Sequence, residues 1–152
     1  FALIVHRLVQ GDPLPQAVQH ALDRPPEYPC HEETATALRT AVDLAAAGDP
    51  SARQVERLGT TWIAEEALAI AVHCALVEPD PRAALILAVN HSGDSDSTGA
   101  ACGNLLGAWY GAAALPADRV EKVEGTETIR RIAADLATVF GERRPPVRYP
   151  CA

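Results

Sequence analysis

Hydrophobic residues recur along most of this chain at intervals of three and four residues, the spacing of one face of an α-helix. Three prolines within residues 24–29 interrupt the pattern and predict a loop there. No stretch alternates for long between apolar and polar residues, as a half-buried strand would. The predicted helices cover about residues 1–8, 14–22, 32–47, 62–78, 81–89, 96–113 and 126–140, with short turns or helices at 52–58 and 117–124. The sequence therefore predicts an all-α fold.

Some predicted helix starts carry their own sequence signals. Asp80 followed by Pro81 fits a start, because aspartate caps free N–H groups and proline suits the first helical position. Thr60-Thr61 are candidate caps for the next helix upstream. Its first turns hold Glu65-Glu66, where acids complement the positive end of the helix dipole.

Glycines occur at every fourth position from Gly99 through Gly103 and Gly107 to Gly111. Four glycines in one helix cost roughly 3–4 kcal/mol of helix propensity relative to alanine. Another backbone packed closely against this stripe would explain the cost. We therefore expect this helix to be the centre of a compact, multi-helix orthogonal bundle. Residues 97–116 carry no formal charge, but their polar start and the lack of basic flanks argue against a place in the membrane.

The composition is that of a folded globular protein. The chain has 152 residues, of which 48% are hydrophobic and 22% charged, enough for one domain with a core. Its net charge of -7 is opposite in sign to that of a general nucleic-acid binder. We expect a helical domain over residues 1–141 and an extended or disordered tail over 142–152.

Cysteine and methionine usage gives two further expectations. The scattered Cys30, Cys74, Cys102 and Cys151 form no CxxC pair, which favours small buried hydrophobic roles and a reducing, cytoplasmic location over a disulfide framework or a zinc site. The chain contains no methionine and starts with Phe1, so we expect that a segment preceding it is absent.

Three expectations concern single faces and side chains. His73, on an apolar helix, is expected to be a hydrogen-bonded core or edge residue. The apolar face of the last helix is expected to point inward; it consists of Ile129, Ile132, Ala133, Leu136 and Val139. Apolar stripes that lack their packing partner would be exposed and would promote self-association.

The candidate chemistry lies in one acidic loop, residues 91–98, with the sequence HSGDSDST. Asp94 and Asp96 flank a single residue, and hydroxyl groups follow, giving the hard oxygen ligands that Mg²⁺, Mn²⁺ and Ca²⁺ prefer. Two neighbouring carboxylates repel each other unless a cation or a helix N-terminus offsets the repulsion. The alternative is that Asp96 or Ser97 is simply the N-cap of the helix, whose dipole would itself oppose a cation.

Two sequence blocks resemble the ADP-ribosylglycohydrolase family. One is AVNHSGDSDSTGAACGNLLGAWYGAAALP at residues 88–116, and the other is LGTTWIAEEALAIAVHCAL at residues 58–76, in the family's order and separation. The resemblance implies an all-α enzyme that cleaves the glycosidic bond between ADP-ribose and an acceptor, with two metal ions, Mg²⁺ or Mn²⁺. It implies metal ligands at Asp94, Asp96 and Ser97.

The resemblance also implies contacts with the ADP-ribosylated substrate, while it assigns no catalytic residue to this chain. The implied substrate-binding residues are Thr60, Trp62, His91, Ser92 and Gly93. For two of them the sequence leaves an alternative open. Trp62 either stacks on a base or is buried in the core, and His91 either contacts substrate or bonds to the backbone.

The chain departs from the family pattern in ways that bear on function. Ser92 replaces the first glycine of a Gly-Gly-Asp motif, Thr61 stands where glycine is common, and residues 118–120 replace a frequent tryptophan. The N-terminal family motifs that carry the remaining metal ligands are not found. We therefore expect a missing N-terminal half, in the same or a separate chain, to complete the enzyme. The alternatives are a non-catalytic module of the same scaffold that binds a partner or ADP-ribose, and a plain helical structural domain.

Overall fold

The computed structural model describes residues 1–24 and 29–141, and no strand occurs in these ranges. Its helices are α1 (Ala2–Val9), α2 (Leu14–Asp23), α3 (Glu32–Ala46), α4 (Ala52–Val55), α5 (Ala64–Val77), α6 (Pro81–Val89), α7 (Ser95–Tyr110), α8 (Ala117–Val120) and α9 (Thr126–Gly141). Single 3-10 turns follow α4 at Glu56–Leu58 and α7 at Ala112–Ala114. The all-α prediction is confirmed. The tail predicted at 142–152 and most of the predicted proline-rich loop lie outside the described residues.

The chain divides into two compact units, residues 1–116 and residues from 117 onward. The first unit contains α1 to α7, and all of these helices contribute side chains to one hydrophobic core. The second unit contains α8 and α9. One helical domain over residues 1–141 stays a prediction.

Helices α5 and α7 form the interior of the first unit. In α5 every residue from Ala69 to Ala75 is buried, which fits its nearly continuous apolar sequence. Helix α7 buries Thr98, Cys102, Leu105 and Leu106 and packs against α1, α5 and α6. Because α5 and α7 pack on each other in the core, the core fixes the positions of their N-terminal ends relative to each other.

The glycine stripe of α7 faces side chains, so the prediction of close backbone contact along it is wrong. A Cβ at Gly99 would lie 2.7 Å from Val89 Cγ1, whereas Gly103 and Gly107 have ordinary van der Waals spacing to aliphatic side chains. Gly111 lies beyond the helix, where its φ of 82° ends α7. The stripe is therefore tight only at Gly99.

Helix α6 starts as the sequence predicts, and α5 does not. The Asp80 carboxylate accepts the N–H of Ala83 at 3.0 Å. Helix α5 begins only at Ala64, after Ile63, so the prediction that Thr60-Thr61 cap it is wrong. These threonines lie in a loop whose conformation is fixed by other contacts, described below.

The buried cysteines behave as small hydrophobic residues, as predicted. Burial raises the pKa of the Cys102 thiol to about 12 and raises that of Cys74 further, so both stay neutral at physiological pH. Cys30 is exposed and free, so the prediction of a buried role is wrong for this cysteine. The prediction for Cys151 lies outside the described residues.

His73 is buried in α5, but the expectation that it is hydrogen-bonded is wrong. Neither ring nitrogen has a hydrogen-bond partner among the described residues. Burial lowers the pKa of this imidazole, while the Ala41 carbonyl and the charge of Asp49 act in the opposite direction. His73 is thus held neutral inside the core.

The second unit is built around α9, whose start is held by Thr126. The Thr126 hydroxyl donates to the Val120 carbonyl at 3.0 Å. The prediction that the apolar face of α9 points inward is wrong, because its large side chains are 40 to 55% exposed; they are Ile129, Ile132, Leu136 and Val139. In the described ranges, no helix combines the length and apolar character needed to cross a membrane.

Candidate functional site

Two loops that are distant in the sequence meet in the first unit. One is the α5 loop, residues 59–63, and the other is the α7 loop, residues 90–94. The backbone N–H of Asp94 donates to Thr61 Oγ1 at 2.5 Å and to the Thr60 carbonyl at 3.2 Å. Since each loop leads into a core helix, the packing of α5 on α7 brings both sequence blocks to one place.

Gly93 permits this close approach. A Cβ at position 93 would overlap the carbonyl group of Thr60 and lie 2.9 Å from Thr61 Oγ1. Real Cβ atoms do not approach other atoms so closely, so any side chain here would push the two loops apart. The structure therefore gives Gly93 a packing role, and its predicted contact with substrate stays a prediction.

Thr61 adopts a backbone conformation that is unusual for its side chain. Its φ of 68° lies in the left-handed region, which costs a non-glycine residue on the order of 1–3 kcal/mol. Its hydroxyl donates to the Thr60 carbonyl at 2.6 Å and accepts the Asp94 N–H, and these bonds offset the strain. The side chain is 4% exposed, so it faces the protein.

Glu66 holds the α5 loop from the first turn of α5. A single carboxylate oxygen, Oε2, accepts the N–H of Thr60 at 3.0 Å and that of Thr61 at 2.8 Å. A Cβ at Gly59, whose φ is 124°, would overlap the Glu66 side chain. The sequence analysis assigned this acid to the helix dipole only. The signal it missed is the glutamate on the third helical residue, which in a capping box reaches back to preceding backbone N–H groups.

Asp94 and Asp96 lie together at the start of α7. Asp94 is the N-cap residue, yet its side chain makes no capping hydrogen bond and instead accepts the Ser97 hydroxyl at 2.8 Å. Asp96 Oδ1 accepts the Ser97 backbone N–H at 2.7 Å. The alternative that Asp96 or Ser97 is the N-cap is wrong, because both lie inside the helix.

The electrostatics of this pair favour the ionised form of Asp94. Its pKa lies below the ordinary value because the Asp96 carboxyl group hydrogen-bonds to it, with a further contribution from the Ser97 hydroxyl. A divalent cation bound by both carboxylates would offset their mutual repulsion.

The oxygen atoms at the start of α7 are of the chemical type that binds a hard divalent cation. Asp94, Asp96 and Ser97 offer carboxylate and hydroxyl oxygens, the ligands of Mg²⁺ and Mn²⁺. Two negative charges also outweigh the half-charge of the helix N-terminus. Within residues 1–24 and 29–141, no group of three or more His, Cys, Asp or Glu side chains converges, so these donors would form only part of a coordination shell.

His91 bonds within its own loop, which confirms the backbone-bonded alternative. The Gly93 N–H donates to His91 Nδ1 at 3.0 Å, so the ring proton lies on Nε2, which contacts Thr98 Oγ1 at 3.0 Å. Thr98 in turn donates to the Ala88 carbonyl at 2.6 Å. The imidazole thus ties the α7 loop to α6 and α7, and its contact with substrate stays a prediction.

Trp62 projects from the α5 loop into solvent. Its side chain is 84% exposed, so the alternative that it is a buried core residue is wrong. Thr60 and Ser92 are also exposed, one on each loop. An exposed indole and two hydroxyl groups therefore lie on the loops that meet beside Asp94.

Comparison with known proteins gives one family. The family model described as ADP-ribosylglycohydrolase matches residues 1–146. Over 53 residues the chain is 42% identical to a protein of Pseudomonas putida (strain GB-1) named ADP-ribosylarginine hydrolase Tri1. That segment makes up 35% of this chain and 14% of the relative. No solved structure matches the chain.

Proposed function

Since the chain belongs to the ADP-ribosylglycohydrolase family, we propose that it takes part in metal-dependent hydrolysis of the glycosidic bond between ADP-ribose and an acceptor. The observation that carries the proposal is the carboxylate of Asp94. It lies beside Asp96 and caps no backbone N–H, and it accepts the hydroxyl of Ser97, the third proposed ligand.

We propose Asp94, Asp96 and Ser97 as the metal ligands of this chain. Glycoside cleavage develops positive charge on the sugar, so anionic groups near the ribose stabilise the transition state. When bound, Mg²⁺ or Mn²⁺ supplies Lewis acidity to the ribose hydroxyls and to the attacking water. The low pKa of Asp94 keeps its carboxylate ionised for such a role.

The proposed substrate contacts lie on the two loops. The exposure of Trp62 supports stacking of its indole on a nucleotide base. Thr60 and Ser92 would contribute hydroxyl groups. His91 and Gly93 would act mainly by fixing the backbone beside Asp94, since their described contacts are internal.

We further propose that a polypeptide segment outside these residues completes the enzyme and supplies the ligands of a second ion. The small number of oxygen donors described at the site supports this. The name of the Pseudomonas relative makes ADP-ribosylarginine the first acceptor to test. The scattered cysteines, with no CxxC pair among them, support a reducing, cytoplasmic location.

A second candidate is a non-catalytic module that binds ADP-ribose or a partner without turnover. It is favoured by the same observation, that the described donors fill only part of a metal shell. The two candidates differ in whether Asp94 and Asp96 are needed for hydrolysis.

Calorimetric titration with MnCl₂ tests the metal site directly. We expect the chain to bind Mn²⁺, Asp94→Asn to abolish binding, and the control Asp43→Asn, an exposed acid on α3, to retain it. Hydrolysis is then measured with the complementary segment added, on ADP-ribosylarginine and ADP-ribosylserine. Full activity of the reconstituted enzyme after replacement of both Asp94 and Asp96 by alanine would contradict the proposal.

A further inference from the structure

The α5 loop is held by one carboxylate that lies outside it. Glu66 Oε2 accepts two successive backbone N–H groups, those of Thr60 and Thr61. Hydrogen bonds to an ionised acceptor are stronger than those between neutral groups, so this contact restrains the loop firmly. Glu65, its neighbour in the same turn, makes no such bond in the part of the chain that the structure describes.

The restraint acts on the residue that contacts Asp94. With its N–H fixed by Glu66, Thr61 takes the left-handed conformation that turns its hydroxyl towards the α7 loop. That hydroxyl accepts the Asp94 N–H at 2.5 Å, while the adjacent Thr60 carbonyl accepts the same N–H at 3.2 Å. A continuous path of hydrogen bonds therefore runs from Glu66 through Thr61 to the backbone of Asp94.

The carboxylate of Asp94 depends on this path for its place. As the N-cap residue, Asp94 joins the ladder of α7 only through its carbonyl; its φ and ψ are not helical, and its N–H needs a partner outside the helix. Its N–H is instead fixed by the α5 loop. The absence of a side chain at Gly93 leaves room for the Thr60 carbonyl next to it.

We propose that Glu66 is a positioning residue for Asp94, acting through the turn at Thr60-Thr61. Its described contacts are with the backbone N–H groups of Thr60 and Thr61, so it acts through them. By holding Thr61 against the Asp94 backbone, it fixes the direction in which the Asp94 carboxylate projects beside Asp96. The positioning itself follows from the contacts, and only its purpose, metal binding, rests on the proposed function.

The test compares amide hydrogen exchange in the full chain without metal. Loss of a hydrogen bond corresponds to about a tenfold change in an equilibrium constant. We therefore expect Glu66→Ala to speed exchange at Thr60, Thr61 and Asp94 by about that factor. Glu66→Gln should restore part of the protection, since its amide oxygen still accepts. The matched control is Glu65→Ala, which removes an acid from the same turn and should leave these amides unchanged.

A second variant keeps the test decisive if Glu66→Ala fails to fold. Thr61→Val preserves the side-chain shape but removes the acceptor, so it should speed exchange at Asp94 and weaken Mn²⁺ binding, whereas Thr61→Ser should restore both. Equal exchange in Glu66→Ala and Glu65→Ala, or an unchanged Asp94 amide in Thr61→Val, would overturn the inference. If the unaltered chain binds no Mn²⁺, the proposed metal site is wrong, and the exchange rates still decide the positioning role.

Discussion

The hydroxyl oxygen of Thr61 accepts the backbone N–H of Asp94 across 33 positions of sequence. This bond joins the loop before α5 to the loop before α7, so the two sequence blocks form one local structure. Its acceptor sits on a residue with a left-handed backbone, held there by Glu66. The arrangement leads to predictions about the loops, the core and the exposed faces.

Gly93→Ala should destabilise the first unit. The added Cβ would overlap the Thr60 carbonyl, and separating the loops breaks the Asp94 bonds, so we expect a loss of about 1–3 kcal/mol in the free energy of unfolding. Urea denaturation followed by circular dichroism measures it. Ser92→Ala, at an exposed neighbour, is the control and should stay within about 0.5 kcal/mol. Equal stability of the two variants would disprove the packing role of Gly93.

Stability should fall as the pH drops below about 6.5, the ordinary pKa of histidine. Burial lowers the pKa of His73 in the folded protein, so the unfolded chain takes up its proton first and is favoured by acid. One such group changes the free energy of unfolding by up to about 1.4 kcal/mol per pH unit. The change occurs at a higher pH than the titration of carboxylates, so the two effects can be separated.

Denaturation at pH 7.5 and pH 5.5, both about a unit from that pKa, tests the contribution of His73. His73→Leu should flatten the pH dependence, because leucine fills the same apolar space and leaves no polar atom unpaired. His6→Gln, at an exposed histidine on α1, should keep the dependence of the original chain. A slope that survives in His73→Leu would assign the effect to another group.

Trp62→Ala should leave stability almost unchanged while it removes a ligand contact. A side chain that is 84% exposed contributes little to the core, so we expect a change within about 0.5 kcal/mol. Trp109→Ala is the comparison and should cost more than about 1 kcal/mol, since Trp109 packs against the core and stacks on Tyr110 at 4.3 Å.

Fluorescence measures the ligand contact of Trp62. Acrylamide should quench Trp62 strongly in the free protein, and ADP-ribose should reduce that quenching if the indole stacks on the base. Trp62→Ala should lose both the strong quenching and its reduction by ADP-ribose, leaving only the weaker quenching of the partly buried Trp109. Quenching that ADP-ribose does not alter would argue against stacking.

The exposed face of α9 should drive self-association of the isolated chain. Four large aliphatic side chains at least 40% exposed on one helix face form an apolar patch that water disfavours. Leu136→Lys should raise the dissociation constant by about tenfold or more, whereas Thr128→Lys, an exposed polar position on the same helix, should not. Sedimentation velocity over a concentration series distinguishes them, and a monomer at all concentrations would contradict the prediction.

The helices could be predicted because their signals are local. Apolar spacing and the Asp80-Pro81 start act within a few residues, and the structure follows them closely. The apolar face of α9 could not be placed, because periodicity shows that a face is apolar without showing what covers it.

The interior of the site could be predicted only in part. The proximity of Asp94, Asp96 and Ser97 could be predicted, since they lie within one turn of the chain. The roles of Thr61 and Glu66 depend on a loop contact across 33 residues, which no local pattern encodes. Threonine before a helix is usually a cap, and here the demand of the neighbouring loop outweighs that local preference.

The exposure of the Trp62 indole has a consequence for which substitutions the chain can accept at this position. Glu66 fixes the loop through the backbone N–H groups of Thr60 and Thr61, just before Trp62. The exposed side chain at position 62 therefore contributes little to the free energy of folding. Another residue could occupy position 62 without changing the conformation of the α5 loop. On the proposed stacking of Trp62, ligand preference can therefore change through position 62 while the acids at the start of α7 keep their places.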